Sequence, residues 1–162
     1  MKIFISHRRV DSKIAVAISE YLREKHEVET WVDELDPYLS ENGDDLSDYI
    51  QTMLSKCDHL MVVVSENTRG SWWVPFEIGM ATAKDYAIVT YVIEACDLPD
   101  YLRKWPYLTS AQDLDVYITE AKRLSTKYLV ERMERFTKTA SEFKGEYAKI
   151  FHRNLKAALG QY

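Results

Sequence analysis

Met61-Val62-Val63-Val64 runs directly into Ser65-Glu66-Asn67-Thr68-Arg69-Gly70-Ser71-Trp72-Trp73-Val74-Pro75-Phe76-Glu77-Ile78-Gly79. Four apolar residues in a row, with no alternation, predict a strand buried on both faces. A polar loop follows, then a helix whose start is set by Pro75. Proline lacks an amide hydrogen and fits only a first helical turn, which puts Ser71 or Trp72 at the helix start. Strand, loop and helix in that order form half of a parallel α/β unit. Trp73 and Glu77 share one helix face, a turn apart. At helical spacing, Trp73, Val74, Phe76, Met80, Ala81 and Ala83 make an apolar arc, and Glu77 falls inside it. Burial there raises a carboxyl pKa unless a partner holds the charge, which is why such residues often mark sites. The plainer explanation is a glutamate that favours the positive end of the helix dipole and reaches solvent. As a bare spacing, Trp-x-x-x-Glu decides nothing.

The same unit recurs along the chain. Ile3-Phe4-Ile5 reads as a buried strand ending at Ser6-His7-Arg8-Arg9, and Asp11 or Ser12 can cap a helix carrying Ile14, Ala17, Ile18, Tyr21 and Leu22. Residues 28–32 form a second strand, and after a loop at 35–42 Gly43 opens a helix with Leu46, Tyr49, Ile50, Met53 and Leu54. Residues 87–93 are a fourth strand after the one at 60–64. Tyr107-Leu108-Thr109 is a short fifth, beyond Pro99 and Pro106, and a helix follows near 113–124. Apolar strands alternating with helices predict a doubly wound, flavodoxin-like α/β fold, a five-stranded parallel sheet with helices on both faces. Ligands in such sheets bind outside the carboxyl ends of the strands. The loops at 6–9, 33–43 and 65–77 therefore converge on one crevice, with Glu77 in it.

With 162 residues, 46% of them hydrophobic, the chain is long enough for one domain with a real core. Residues 1–124 hold 13 Lys+Arg and 22 Asp+Glu, whereas 125–162 hold 8 and 4. That reversal divides the chain into a domain at 1–124 and a helical extension at 125–162. In the extension Leu129, Phe136, Phe143, Ile150 and Ala157 recur every seven residues, with Met133, Ala140 and Tyr147 between them. Such a stripe suits one or two helices packed on the domain or on a second subunit. Gly145 and Asn154 weaken the case for one unbroken coiled coil.

Several classes are disfavoured. A secretory leader is not apparent after Met1-Lys2, and no stretch approaches the roughly 20 apolar residues of a spanning helix, so a soluble, cytoplasmic chain without membrane contact is expected. Cys57 and Cys96 form no CxxC pair, and four scattered histidines form no cluster, so no metal is expected. The seven acids among residues 33–48 match no calcium loop. GxGxxG and GxxxxGK[ST] are both absent. A net charge of −5 argues against nucleic acid as partner. A receiver-like phosphoacceptor would need an acidic pair after the first strand and an aspartate ending the third; Ile5-Ser6-His7 and Val64-Ser65 supply neither.

Phe4-Ile5-Ser6-His7-Arg8-Arg9 resembles the first box of TIR (Toll/interleukin-1 receptor) domains. Trp31-Val32-Asp33 with Gly43 is similar to their second strand and following loop. Val62-Val63-Val64-Ser65 through Trp73-Val74-x-x-Glu77 is similar to the strand and helix that bear the family's catalytic glutamate. The order and spacing match over about residues 1–124. The enzymatic branch, as in bacterial immune TIR proteins, cleaves NAD+ between nicotinamide and ribose. Two departures stand out. His7 occupies a position where tyrosine is frequent, and Leu39-Ser40-Glu41-Asn42-Gly43 replaces the Arg-Asp-x-x-Pro-Gly box of animal adaptors.

The resemblance implies Glu77 as catalytic carboxylate, with NAD+ as substrate and no separate cofactor. Glycoside cleavage ordinarily takes two carboxyl groups, one of them to protonate the leaving oxygen. Nicotinamide already carries positive charge in NAD+ and departs neutral, so one carboxylate beside the ribose is adequate. Trp73 can pack on ribose or nicotinamide, or serve as a core tryptophan. Arg8 or Arg9 can pair with the pyrophosphate, or form a solvated loop pair. Ser6 and Ser65 donate hydrogen bonds or merely end strands. His7 and Asp33 take family positions for nicotinamide or ribose contact. The implied product is ADP-ribose, or a cyclic or conjugated form of it. The implied setting is bacterial anti-phage defence, with self-association through TIR domains and a separately encoded sensor or effector. The alternative is a non-catalytic TIR module that signals by assembly.

Overall fold

The computed structural model describes residues 1–32, 43–68, 73–93, 98–134 and 140–161, with the backbone alone for 43–47, 73, 130–134, 140 and 141. Strands β1 (Lys2–Ser6), β2 (Glu29–Val32), β3 (His59–Val64), β4 (Ala87–Val92) and β5 (Tyr107–Leu108) form one all-parallel sheet. Their order is β2-β1-β3-β4-β5. Helices α1 (Ser12–His26), α2 (Gly43–Ser55), α3 (Trp73–Ala83), α4 (Ala111–Glu134) and α5 (Ala140–Ala158) cover it. The doubly wound flavodoxin-like α/β arrangement expected from the alternation of elements is the one that forms.

Successive side chains of a strand point to opposite faces, so each buried strand feeds two cores. Ile3, Ile5, Met61, Val63, Ala87 and Val89 pack under α1, α4 and α5 with Leu22, Tyr117, Ile118 and Phe151. Phe4, Leu60, Val62, Val64, Ile88 and Val92 pack under α2 and α3 with Ile50, Leu54, Val74, Ile78 and Ala81. Burying such a side chain stabilises the fold by roughly 1.5–3 kcal/mol. Thr90 lies in β4 with no exposed surface, and its hydroxyl has no hydrogen-bond partner among the described residues.

Helix α4 runs unbroken through residue 124, and α5 returns along it onto β4. The face α5 buries is Ala148, Phe151 and Leu155, while Leu129 is 61% exposed and Ala157 is exposed. The seven-residue stripe read from the sequence meets this face in part: Tyr147 and Ile150 are partly buried against the same core, whereas Leu129 and Ala157 lie outside it. A count carried across two separate helices keeps no common phase, and two helices meet a sheet across a broad surface. Phe136 lies outside the described residues. His59, at the start of β3, ties the helices together. Its Nδ1 is 3.0 Å from Tyr117 Oη on α4 and its Nε2 is 2.9 Å from Tyr147 Oη on α5. Burial pushes its pKa down to about 3, so the ring stays neutral, one nitrogen donating and the other accepting.

Asp115 of α4 accepts from Tyr21 Oη, Lys25 Nζ and His26 Nε2 at 2.9, 2.8 and 2.7 Å, pinning α1 to α4. The bond from Lys25, then that from His26, holds its carboxyl down to about 2. Helix α5 ends in a Schellman turn. Gly160 takes φ 68°, Gly160 N donates to Ala157 O and Gln161 N to Lys156 O at 3.2 and 2.9 Å. This turn aims the Gln161 amide at β5, where it accepts from Tyr107 N and donates to Tyr107 O.

Candidate active site

The chain passes from β1 outward to β2, then returns across β1 to β3. That makes the gap between β1 and β3 the topological switch point, where loops at the carboxyl ends diverge and leave a crevice. Ser6 ends β1 abreast of Val62, and β3 continues two residues further to Val64. Ser6 and Glu77 meet there. The Ser6 hydroxyl donates to Glu77 Oε2, and both side chains are fully buried. Pro75 lies in the first turn of α3, as its missing amide hydrogen requires, which puts Glu77 one turn into the helix.

Helix α3 differs in detail from the expected arc. Its buried face is Val74, Glu77, Ile78 and Ala81, whereas Phe76 is 41% exposed and Ala83 is exposed. Trp-Val-Pro-Phe-Glu-Ile-Gly-Met-Ala-Thr-Ala is apolar nearly all round, so sequence pattern alone leaves its orientation undecided. Glu77 lies on the inner side nonetheless.

Two lips flank Ser6 and Glu77. After β1, His7, Arg8 and a 3-10 turn at Arg9–Asp11 lead into α1. Ser12 Oγ donates to Arg9 O at 2.7 Å, and because its single hydrogen is committed there, His7 Nε2, 3.0 Å away, must be the donor to Ser12 Oγ. That bond orients the buried His7 ring. After β3, Ser65 opens a second 3-10 turn at Glu66–Thr68. Ser65 N donates to Thr68 Oγ1 at 3.0 Å, Thr68 N to Ser65 O at 2.9 Å and Asn67 N to Ser65 Oγ at 3.1 Å.

The lips are joined by side chains. Ser65 Oγ donates to Asp11 Oδ2 at 2.8 Å, Asn67 Nδ2 approaches Asp11 Oδ1 at 3.4 Å, and Arg8 Nη1 donates to Asn67 O. Asp11, 6% exposed, stands at the N-cap of α1 but makes no side-chain cap bond. Capping is what a sequence reading offers for an aspartate before a helix, so its role across the crevice was missed. Nothing in the spacing signals it.

Of the residues singled out from sequence, Ser6 and Glu77 are in direct contact, His7 and Arg8 line the first lip, and Arg9, exposed, begins its 3-10 turn. Trp73 is the first residue of α3, one turn before Glu77, and its side chain lies outside the described residues, as does Asp33 with most of the acidic run. Ser65 donates across the crevice. At the opposite pole, a cavity of about 410 Å3 is lined by Cys57, Asp58, His59, Tyr128, Lys144 and Tyr147 among others. Burial pushes the Cys57 thiol up to about 11, which leaves it a poor nucleophile. Among the described residues no group of His, Cys, Asp or Glu is arranged to hold a metal, and no helix is long and apolar enough to cross a membrane.

No curated protein matches the chain. Among solved structures it is similar to the crystal structure of the IL-17 receptor B SEFIR domain, with a TM-score of 0.51 and 11% identity. That match covers 74% of this chain and 93% of the other, and at such identity it speaks for the fold alone. The family model for the TIR domain matches residues 3–129, which takes in both lips, Ser6 and Glu77. By that match, over most of its length, the chain belongs to the TIR domain family.

Proposed function

We propose that this chain cleaves NAD+ at the bond between nicotinamide and ribose, with Glu77 as the catalytic carboxylate. The observation that carries the reading is a fully buried glutamate held by Ser6 at the switch point of a parallel sheet. A carboxylate so placed is costly to bury without a task, and the switch point is where such folds bind ligands. As the glycosidic bond lengthens, positive charge grows on the ribose while nicotinamide leaves neutral. A carboxylate fixed beforehand stabilises that charge without reorganising. Ser6 fixes Glu77 Oε2, and Arg8 and Arg9 on the first lip offer guanidinium groups to the diphosphate. Water, a group of the same molecule or another nucleophile then bonds to the ribose carbon that nicotinamide left and gives up its proton, yielding ADP-ribose or a cyclic or conjugated form. Family resemblance extends the proposal to cytoplasmic action in bacterial anti-phage defence, with a separately encoded partner.

Glu77 has no exposed surface in the single chain, so substrate reaches it only once the crevice opens. Self-association through TIR domains is the event proposed to open it. The test is nicotinamide release from NAD+, resolved by chromatography, over a range of protein concentrations and in a crowding agent. Wild type should release nicotinamide and Glu77→Gln should be slower by roughly a hundredfold or more, as for loss of a preorganised electrostatic group. Equal release from both proteins would remove Glu77 as catalyst. If neither released nicotinamide under any assembly condition, the chain would stand as a non-catalytic assembly module.

A further inference from the structure

We infer that Asp11 is a positioning residue of this crevice, setting the place of Arg8 through Asn67; the inference rests on the proposed NAD+ reaction for the identity of the ligand. The backbone ladder between β1 and β3 reaches only to Ser6 and Val62. Beyond it one chain turns into α1 and the other continues towards α3, and the gap between them is bridged by side chains. Asp11 supplies two bridging bonds, from Ser65 Oγ at 2.8 Å and from Asn67 Nδ2 at 3.4 Å. Arg8 supplies another, to Asn67 O.

Helix capping does not account for Asp11, because its carboxylate makes no bond to the helix it precedes and faces the other lip instead. Nor is it a surface charge, with 6% of its area exposed. Asn67 is therefore gripped on both sides, its amide by Asp11 and its carbonyl by Arg8. A guanidinium carries five N–H donors in a fixed plane. One bond to Asn67 orients that plane, and the remaining donors suit a pair of phosphate oxygens at the crevice mouth. Glu77 is held separately, by Ser6. Asp11 thus governs how the diphosphate is held, while the carboxylate beside the ribose keeps its own support.

The experiment compares Asp11→Ala and the milder Asp11→Asn with wild type on NAD+ and on nicotinamide riboside, which has the same scissile bond and no phosphate. With NAD+, KM should rise roughly tenfold for Asp11→Ala and less for Asp11→Asn, the size expected when one charge-assisted contact is lost, while kcat changes little. With nicotinamide riboside, kcat/KM should not follow that change. In an Arg8→Gln background Asp11→Ala should add little to KM. Thermal melts identify any variant that fails to fold, and Asp11→Asn then carries the comparison. An equal loss on both substrates, or an unchanged KM for NAD+, would overturn the inference while leaving the proposed reaction intact. Should wild type release no nicotinamide, calorimetric binding of NAD+ to Glu77→Gln with and without Asp11→Ala reads the positioning role directly. Binding that Asp11→Ala weakens would then reject the reaction and retain the role, and an absence of binding would reject both.

Discussion

Phe151→Ala tests whether α5 is a structural part of the domain or an appendage laid against it. Phe151 has no exposed surface and meets four rings: His59 at 4.9 Å between centroids, Tyr117 at 5.8 Å, Tyr147 at 6.0 Å in a stack, and His152 at 5.7 Å. Truncating a buried phenylalanine removes its transfer energy and leaves a cavity, together about 3–5 kcal/mol. Its place among rings on β3, α4 and α5 favours the upper half of that range, because neighbours from three elements cannot all collapse inward. Against a total stability of roughly 5–15 kcal/mol for a domain, the loss is large. In urea, with a slope of about 2 kcal/mol per molar, the midpoint should fall by roughly 2 M with the slope unchanged. Leu129→Ala, at a position 61% exposed, is the matched control and should shift stability by less than about 0.5 kcal/mol. Circular dichroism and tyrosine fluorescence should report one coincident transition. If Phe151→Ala cost under about 1 kcal/mol, or if α5 melted in a separate earlier step, α5 would not belong to the core and the reasoning would fail.

Two further expectations concern stability. His152 Nε2 accepts from the Ile88 backbone N–H at 2.8 Å, and burial, with the Lys104 and Lys156 charges adding to it, pushes its pKa down to about 4. A lowered folded-state value means its contribution is complete above the unfolded value near 6.5 and is lost as pH falls from there towards 4. His152→Gln keeps an acceptor without the titration, so its stability should fall less steeply over that window, by up to about 1.4 kcal/mol per pH unit. Parallel slopes in urea titrations at pH 7, 6 and 5 would contradict this. Thr90→Val replaces a buried hydroxyl that lacks a described partner by a methyl group of similar shape. Denaturant unfolding should show a change between zero and about 1 kcal/mol of added stability, and a loss beyond about 1 kcal/mol would mean that the hydroxyl is bonded after all.

The sheet was legible because its code is local. Ile3-Phe4-Ile5 and Met61-Val62-Val63-Val64 have no polar alternation, which only a strand covered on both faces tolerates. Pro75 fixed the register of α3, and the parallel α/β class followed from the alternation of strands and helices, while the order β2-β1-β3-β4-β5 is seen only in the fold. Contacts between elements were harder to read. On α3, apolar on nearly every side, the arc was drawn through exposed Phe76 and Ala83 instead of Ile78, although Glu77 stayed on the inner face. On α5, a stripe counted from Leu129 across into the second helix caught Tyr147 and Ile150 but passed beside Phe151 and Leu155. Asp11 shows the same limit at the site. Locally it is a residue at a helix start, and its partners Ser65 and Asn67 are more than fifty positions away. Periodicity carries no information about such a pairing.

The amide of Gln161 occupies the place that a sixth strand would take beside Tyr107. Its consequence is a sheet that is finished on one flank. With Tyr107 capped by that side chain, an extended segment from another molecule meets backbone groups already bonded at that margin. The other margin is β2, Glu29–Val32, at the far end of the strand order. A second copy pairing strand to strand would therefore meet this chain at β2 sooner than at β5.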